Sequence, residues 1–529
     1  MMRMHDPYGL GLDYRYVLRE PVSTAIGLTA LISSLGVSGA VAGAIGGGII
    51  SGAISIGLSY AAQALLPKPG QSAPLNTPEI RYSTRQSTPA KRFIYGDQVH
   101  CGGALSFEKV VSGWLVQQFL VCDAEIEAVE AIYIGANKLS FATAITPGTI
   151  LSPIKVDGQP DYANNLKVCV RLGTDDQTRD PLLNYFFPNL ESSFRQRGIA
   201  TVTIAYKYGA NADQFQALWG QVRQPAAFFL VRGVRIYDPR KTGQSATDAS
   251  TWSFANNNNA SLVQVDFLRR LFGGRIDANR IDWEKVAEAA DWDDGLIAVK
   301  TDTGANELIK RHTIDGLITL DQSPAEIMQG MLSANRGYVL QAGGKIWVNS
   351  SLPRDPVLTI ADTCLVSGIE WRDSRPKREN LNSAQTRFVS SEREYQLVDG
   401  PLLAPAELEA EDGEPLPGTL SLPFTLDHRR VQRLQKAFLY SSRLGKTIAL
   451  TIDLKTFAKA KKELIGEPIR VQSELFPQAN GIYQVVSLGF SAGFASIEIA
   501  ATEYDKSIET DFNAAVDQQA FEEPELTVS

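Results

Sequence analysis

The sequence has little of what disulfide-stabilised domains and most enzymes require. Only four cysteines occur, at positions 101, 122, 169 and 364, and no two of them have Cys-x-x-Cys or metal-ligand spacing. The spacing therefore indicates neither a disulfide scaffold nor a zinc knuckle, and we expect four reduced, mostly buried thiols. Only four histidines are present, which leaves few candidates for histidine-based acid–base catalysis.

Sequence motifs of nucleotide binding and hydrolysis are also missing. The chain contains no Walker loop, no GxGxxG after a strand, no HExxH and no GxSxG. His100 and Cys101 are adjacent, but neighbouring residues of a strand point to opposite faces. The acidic pair Asp293/Asp294 is not evidence for a glycosidase site. Such a site is defined by the distance in space between two carboxyl groups, and not by their spacing in the sequence. We predict no catalytic residue, no cofactor and no metal site, and expect that the chain is not an enzyme.

The charge balance argues against tight binding of nucleic acid. The formal net charge is -8, whereas proteins that grip duplex DNA carry a basic face. One basic cluster consists of Arg372, Arg375, Lys377, Arg378 and Arg387. No aromatic residues alternate with it, so we interpret it as a solvated or interfacial loop that pairs with acidic neighbours.

Charge is wholly absent from one long segment near the N-terminus. Residues 22–66 contain no Asp, Glu, Lys or Arg and are rich in Gly and Ala. The segment is too long for the apolar region of a signal peptide. Three interpretations remain open: a membrane hairpin, helices buried inside an oligomer, and a segment stored in protein and later released into a membrane. Candidate lumen- or membrane-contacting residues are Val22, Leu28, Leu31, Leu35, Ile49, Ile54 and Leu58.

The remaining sequence is dominated by short strands with interspersed helices. A length of 529 residues predicts three or four domains. Alternation of apolar and polar residues at 201–208 and 448–454 is typical of strands with one buried face. Ser323 and Glu326 predict a helix with a capping box. A further helix from Asp427 to Arg443 is expected to bury Val431, Leu434 and Phe438; it would direct Arg429, Arg430, Arg433 and Lys436 outward.

Several stretches together resemble the tail tip attachment proteins of long-tailed phages, the lambda-type protein J family. They follow the family's order over nearly the whole chain. The stretches are LSYAAQALLPKP, STRQSTPAKRFIYGDQVHCGGAL, GIATVTIAYKY, FFLVRGVRIYDPR, TWSFANNNNASLVQVDFLRRL, IDGLITLDQSPAEIMQGMLSANRGYVLQAGGKIWV, LNSAQTRFVSSEREYQLVD and the helix from Asp427 with its following strands.

The resemblance implies a mixed, mainly β, multi-domain tail hub. Its parts would be small β-barrel hub domains, an α+β domain between them and the apolar N-terminal helical segment. The expected divisions are 1–75 (apolar segment and linker), 76–145 (first hub β-domain), 146–222 (inserted β-rich domain), 223–260 (return of the first hub β-domain), 261–400 (α+β middle domain), 401–420 (acidic Pro-rich linker), 421–506 (second hub β-domain) and 507–529 (acidic tail).

The resemblance also implies a function and a set of partners. A homotrimer would close the tail tube at the distal end of the virion tail, anchor fibre or receptor-binding proteins and open for DNA ejection. Expected partners are the distal tail protein and other tip proteins, the tape-measure protein, a separate fibre protein, DNA only in passing, and host membrane during ejection. The alternatives are the hub of a tail-like particle or gene-transfer agent, and a bacterial envelope protein anchored by the apolar segment.

Overall fold

The fold is described from a computed structural model, which covers the chain from residue 89 to residue 521. Within these bounds the described part leaves out 192, 209–211, 220–225, 271–272, 302, 374–379, 394, 461–463 and 491–495. The apolar segment 22–66, with all seven candidate residues, lies outside the described residues. In the described part of the chain, no helix is both long and apolar enough to cross a membrane.

Short strands make up most of the regular structure, so the prediction of a mainly β, multi-domain chain is confirmed. The earlier strands are β1 (Arg92–Tyr95), β2 (Val99–Gly102), β3 (Ala104–Val111), β4 (Trp114–Cys122), β5 (Ile126–Ile134), β6 (Asn137–Lys138), β7 (Ile150–Leu151), β8 (Leu166–Arg171), β9 (Ala200–Lys207), β10 (Ala227–Val234), β11 (Leu296–Lys300), β12 (Asn306–Lys310), β13 (Gly316–Thr319), β14 (Tyr338–Ala342) and β15 (Lys345–Asn349). The later strands are β16 (Leu358–Ala361), β17 (Glu370–Arg372), β18 (Ser383–Ser390), β19 (Gln396–Asp399), β20 (Pro417–Leu422), β21 (Thr447–Asp453), β22 (Pro468–Gln472), β23 (Gly481–Phe490) and β24 (Ser496–Glu503).

Helices lie between these strands and cover the sheets. They are α1 (Tyr162–Asn165), α2 (Pro181–Phe186), α3 (Ala212–Trp219), α4 (Ala260–Arg269), α5 (Trp283–Asp294), α6 (Pro324–Ser333), α7 (Ala406–Asp412), α8 (His428–Ser442) and α9 (Leu454–Lys459). The capping box predicted from Ser323 and Glu326 begins α6, with both reciprocal hydrogen bonds present. Local signals therefore located this helix correctly.

The first module, residues 89–349, contains two larger sheets around one apolar core. A four-stranded sheet has the order β2-β10-β5-β6, and a five-stranded sheet has the order β3-β4-β9-β8-β7. The five-stranded sheet joins strands on both sides of residue 146, because β4 pairs antiparallel with β9. The sheet pairing thus cuts across the expected boundary of a separate inserted domain at 146–222. β10 lies between β2 and β5 and pairs antiparallel with both.

The last module is a six-stranded sheet with the order β16-β22-β23-β24-β21-β17. Its two edge strands come from residues 358–372, which we expected to belong to a middle domain at 261–400. β16 pairs in parallel with β22, and Leu358 lies opposite Ile469. Their apolar side chains share one core, and burial of that surface explains why the strands join this sheet.

The middle module, residues 381–442, consists of the sheet β19-β18-β20 and helix α8. It incorporates the segment 401–420, for which we expected a linker. That segment contains α7 and the start of β20, which pairs in parallel with β18. Leu420 and Leu422 pack with Val431 and Leu434 of α8, so the acidic stretch is tied down by its apolar residues.

Helix α8 is buried on two sides. Val431, Leu434 and Phe438 lie in the core against the sheet, as predicted. The prediction that Arg433 points outward is wrong, because only 2% of this residue is exposed. The helix packs against β18 and β20 on one side. On its other side Arg433 contacts His312 of the first module, and this contact places Arg433 in the interior.

Gly96 allows the chain to pass close to the loop before β13. Its φ is +107°, a conformation that L side chains rarely adopt. A Cβ at this position would lie 2.6 Å from Cα of Asp315 and 2.8 Å from the carbonyl oxygen of Ile314. Both the backbone conformation and the space therefore require glycine.

We predict that Gly96→Ala lowers the free energy of unfolding by about 3 kcal/mol, from positive φ and overpacking together. Gly304→Ala is the matched control, because Gly304 has a φ of +80° and a Cβ added there would have no atom within 4 Å. The control should lose only about 1–2 kcal/mol. Urea denaturation of both variants measures the difference, and equal losses would show that contact with Asp315 is unimportant.

Candidate functional site

The Tyr-Asp-Pro-Arg motif after β10 forms a buried ion pair. Arg240 donates from Nε and Nη2 to the two oxygens of Asp238, each over 2.9 Å. The same guanidinium reaches Asp294 (2.8 Å) and Asp291 (2.9 Å) at the end of α5. Burial alone would raise the pKa of Asp238, but the hydrogen bonds from Arg240 hold it below its usual value. The motif therefore fastens the end of β10 to α5.

The four-asparagine loop before α4 completes this junction. Asn256, with a φ of 62°, donates to Asp238 over 3.1 Å. Its side-chain oxygen and that of Asn258 both accept from Lys310, at 3.3 and 3.4 Å. Asn259 caps α4 by accepting from the backbone of Leu262. The run of asparagines predicts a turn here, but it carries no signal for these contacts between distant parts of the chain.

A second part of the junction is an aromatic cage around Arg269 of α4. The guanidinium lies 5.3 Å from the ring centre of Trp252 and 5.2 Å from that of Trp283. Tyr237 meets Trp283 edge to face at 4.8 Å. The cage is filled by the chain's own arginine, and it therefore stabilises packing between the motif and α5.

A wholly buried Asp–His pair lies beside this junction. Nδ1 of His312 is 2.7 Å from Oδ1 of Asp293, and both side chains have no exposed surface. The same oxygen accepts from Ser350 over 2.7 Å. The other oxygen accepts from the backbone N–H and hydroxyl of Ser261, at 2.8 and 2.5 Å. The carboxylate is thus held by four donors from three residues in separate segments.

The tautomer of His312 follows from its second partner. Nε2 contacts the guanidinium of Arg433, which can only donate, so Nε2 accepts and Nδ1 carries the proton. Burial, together with the positive charge of Arg433, lowers the pKa of His312 to about 4. In a serine hydrolase Nε2 would face the nucleophile, but here both serines bind Asp293 instead. This geometry fits a structural junction.

The buried cluster combines charges of both signs. Burial lowers the pKa of Arg433 to about 10, which leaves it positive at neutral pH. Glu509 lies 3.8 Å from Arg433 and also forms an ion pair with Arg336, which follows α6. Arg433 and Arg336, with the partly buried Arg311 nearby, thus face the carboxylates of Asp293 and Glu509, and His312 lies neutral between them. Since an unpaired buried charge is strongly destabilising, each member requires the others.

Glu509 belongs to a C-terminal segment, residues 505–521, that lies along α8. Gln518 accepts from the backbone N–H of Lys300 and donates to its carbonyl oxygen, at 2.8 and 2.7 Å. The backbone N–H of Gln519 donates to the side-chain oxygen of Gln432 over 2.7 Å, and the side-chain amide of Gln432 donates to the carbonyl oxygen of Gln519 over 3.0 Å. The segment therefore connects β11 of the first module with α8 of the middle module.

Charge and aromatic contacts fasten the rest of this segment. Lys436 pairs with Asp517 over 2.7 Å. The Phe521 ring stacks on His428 with a centroid distance of 5.1 Å, and Arg393 lies 4.7 Å from the same ring. Residues 507–529 were expected to form an extended acidic tail, and the described part up to 521 instead packs against the body of the protein.

His100, Cys101 and Asp294 lie in ordinary structural positions, whereas Arg375, Lys377 and Arg378 of the basic cluster lie outside the described residues. His100 stacks on Tyr395 at 5.0 Å, and burial raises the pKa of the Cys101 thiol to about 11. Asp294 pairs with Lys310 over 3.0 Å and does not share the surroundings of Asp293. Among the described residues, no group of three or more His, Cys, Asp or Glu side chains is arranged to hold a metal ion.

Comparison with known proteins gives likenesses in structure. No family model and no curated protein matches the sequence. A chain in the virion of a native gene transfer agent particle matches with a TM-score of 0.55 and 17% identity, over 89% of this chain and 97% of that chain. A tail protein of Neisseria meningitidis MC58 matches with a TM-score of 0.30 and 12% identity, over 81% and 97%. A 43 kDa tail protein of prophage MuSo2 from Shewanella oneidensis has a TM-score of 0.28 and 12% identity, over 80% and 100%. The first likeness shows a shared fold over nearly the full length of both chains.

We predict that acid destabilises the fold through His312. An unfolded histidine takes up a proton near pH 6.5, whereas the folded pKa is about 4. Between these values the unfolded chain binds more protons, so stability falls as the pH falls, by up to about 3 kcal/mol. Denaturation from pH 7 to pH 4 should show a weaker pH dependence in His312→Gln, by roughly one proton. Equal slopes would contradict a neutral buried imidazole.

We further predict that Glu509→Gln lowers the free energy of unfolding by about 2–4 kcal/mol, because it leaves Arg433 and Arg336 short of a buried counter-charge. Asp355→Asn is the control, since its ion pair with Lys506 lies at the surface, with 82% of the Asp355 side chain exposed. That change should cost less than about 1 kcal/mol. Hydrogen exchange of the Lys300 amide should also quicken only in Glu509→Gln. Similar behaviour of both variants would rule out an anchoring role for Glu509.

Proposed function

We propose that this chain is a structural subunit of the tail of a phage or of a tail-like particle such as a gene transfer agent. The observation that carries this proposal is the likeness to a chain of a gene transfer agent virion, which spans 89% of this chain and 97% of that chain. The ordered stretches that resemble tail tip proteins support the same assignment independently of the fold.

Within the tail, we place the chain at the distal end as the central hub. Two small β-barrel hub domains in each subunit of a trimer would present a pseudo-sixfold ring to a hexameric tube. The hub would contact the distal tail protein, other tip proteins, the tape-measure protein and a separate fibre or receptor-binding protein. DNA would pass through it only during ejection.

The proposed role is structural and not catalytic. The Asp293–His312 pair supports this view, because Nε2 of the imidazole is occupied by Arg433 and both side chains are buried. Arg240 and the four-asparagine loop likewise direct their polar groups to partners within the chain.

The apolar segment 22–66 is proposed to line or plug the lumen of the trimer. Threefold symmetry would bring three copies of the same Gly- and Ala-rich faces together at the axis. Contact with the tape-measure protein, or with a bacterial membrane during ejection, is compatible with the absence of charge. The residues assigned to these contacts are Val22, Leu28, Leu31, Leu35, Ile49, Ile54 and Leu58.

We predict that the purified chain has a mass near three times 57.7 kDa by light scattering. A chain that lacks residues 1–70 should lose the trimer if the apolar segment packs at the axis. Deletion of the last eight residues, 522–529, provides a control with an intact N-terminus and should leave the trimer unchanged. A monomer that requires detergent would contradict the hub and favour the envelope-anchored alternative.

A further inference from the structure

The strands of the five-stranded sheet place charged residues of a single sign on one of its faces. The carboxylate of Asp180, which precedes α2, also reaches this face, but it is buried and accepts from Thr203 over 2.7 Å. Residues paired across antiparallel strands share a face, so Trp114 and Lys207 lie side by side, as do Lys167 and Ala205. Lys109 lies on this face as well, opposite Val116. The charged residues that the strands place here are Lys109, Lys167, Arg171 and Lys207. All four are basic, in a chain whose formal net charge is -8.

The three lysines have no acidic partner in the described part of the chain. Lys109 and Lys207 are exposed and Lys167 is half-buried, and the side chains of Lys109 and Lys167 each lie near an aromatic ring. Arg171 differs from them, because it is only 8% exposed and donates to the carbonyl oxygen of Thr178 over 2.5 Å. The lysines also contrast with the buried cluster around Arg433, where arginines meet the carboxylates of Asp293 and Glu509.

Partly exposed aromatic rings surround these lysines. The rings belong to Phe107, Trp114, Tyr185, Phe186 and Phe187. They contact one another in pairs: Phe107 with Phe187 at 5.2 Å, Trp114 with Phe186 at 5.9 Å, and Tyr185 with Phe186 at 5.0 Å. Tyr185 is 65% exposed. We call these five rings with Lys109, Lys167 and Lys207 the lysine–aromatic face.

Two of the lysines are held next to the rings. Nζ of Lys109 lies 5.7 Å from the ring centre of Phe187, and Nζ of Lys167 lies 5.8 Å from that of Trp114. Such cation–π contacts restrict the ammonium groups without neutralising them. The tight β3–β4 turn, with positive φ at Ser112 and Gly113, further fixes the position of Trp114. The face is therefore partly preorganised for binding.

We propose that the lysine–aromatic face binds an acidic protein segment that places an apolar side chain among its carboxylates. Carboxylates would pair with the three lysines, and the apolar side chain would cover Tyr185 and Phe186. Single-stranded nucleic acid is the competing occupant, because it also binds basic faces that carry aromatic rings. It is less suited here, because the ammonium groups of Lys109 and Lys167 lie next to Phe187 and Trp114 and so limit stacking of bases on these two rings. An exposed apolar surface with unneutralised charge is typical of a protein interface.

This inference deepens the proposed assembly role and rests on it for biological meaning. The two can fail separately. The mass of the purified chain tests the hub, whereas binding of a charged peptide tests the face, and neither measurement depends on the other.

The test uses the full chain and a fluorescein-labelled peptide of sequence ELEELEEL, followed by fluorescence anisotropy. We expect the peptide to bind and the combined change Lys109→Glu, Lys167→Glu and Lys207→Glu to weaken binding at least tenfold. Tyr185→Ser should weaken it severalfold with no change in charge. Binding should also weaken as salt rises, since exposed charges are screened. Circular dichroism confirms that each variant is folded.

Matched controls distinguish binding at the lysine–aromatic face from a general effect of net charge and from binding of nucleic acid. Lys138→Glu, Lys241→Glu and Lys345→Glu together change the net charge equally at exposed positions elsewhere, and should leave binding unchanged. The peptide QLQQLQQL should bind at least tenfold more weakly. The proposal is overturned if ELEELEEL does not bind, if both lysine triples lose affinity equally, if the neutral peptide binds as well, or if oligothymidylate of equal length binds more tightly.

Discussion

A charged arginine in a protein interior has to be neutralised where it lies, and Arg433 imposes that requirement on this molecule. It is 2% exposed and sits in the middle of α8, between the sheet of the middle module and the first module. Its contacts are Glu509 from the C-terminal segment and His312, which is itself held by Asp293. Because an uncompensated buried charge costs several kcal/mol, about 3–5 on removal of one partner, the C-terminal segment has to return to α8. The relative arrangement of the modules follows from that return.

The motif residues that carry the resemblance to tail proteins serve the same purpose nearby. Asp238 and Arg240 join β10 to α5, and Asn256 brings Lys310 to the same cluster. These side chains face the interior and one another. A motif of this kind marks a fold and not a binding surface, which agrees with a structural likeness that spans both chains at only 17% identity. This junction is therefore distinct from the lysine–aromatic face, which lies on the five-stranded sheet.

The parts of the fold that depend on neighbours in sequence were predictable, and those that depend on distant partners were not. The capping box at Ser323 is a local signal, and its helix forms as expected. Alternation also locates strand β9 correctly, but the expectation of a single buried face is wrong, because Thr201 and Thr203 are buried as well. The parallel pairing of β16 with β22 joins residues over a hundred positions apart, and no local pattern selects it. The burial of Arg433 was missed because α8 is polar along its second face, which in a single sequence looks solvated. A single sequence cannot say which carboxylate will meet a given arginine.

The two charge clusters differ in a way that bears on assembly. Around Arg433, the cations of Arg336 and Arg311 and the carboxylates of Asp293 and Glu509 all come from one chain, so the opposite charges of that cluster meet within the monomer. On the lysine–aromatic face the charges are all positive and the neighbouring rings are partly exposed, so nothing in the described chain completes it. Exposed apolar surface next to like charges is unfavourable in water and becomes favourable once a complementary surface covers it. The charges of the interior cluster thus serve the folding of one chain. The charges of the lysine–aromatic face serve the binding of a partner that we propose for it.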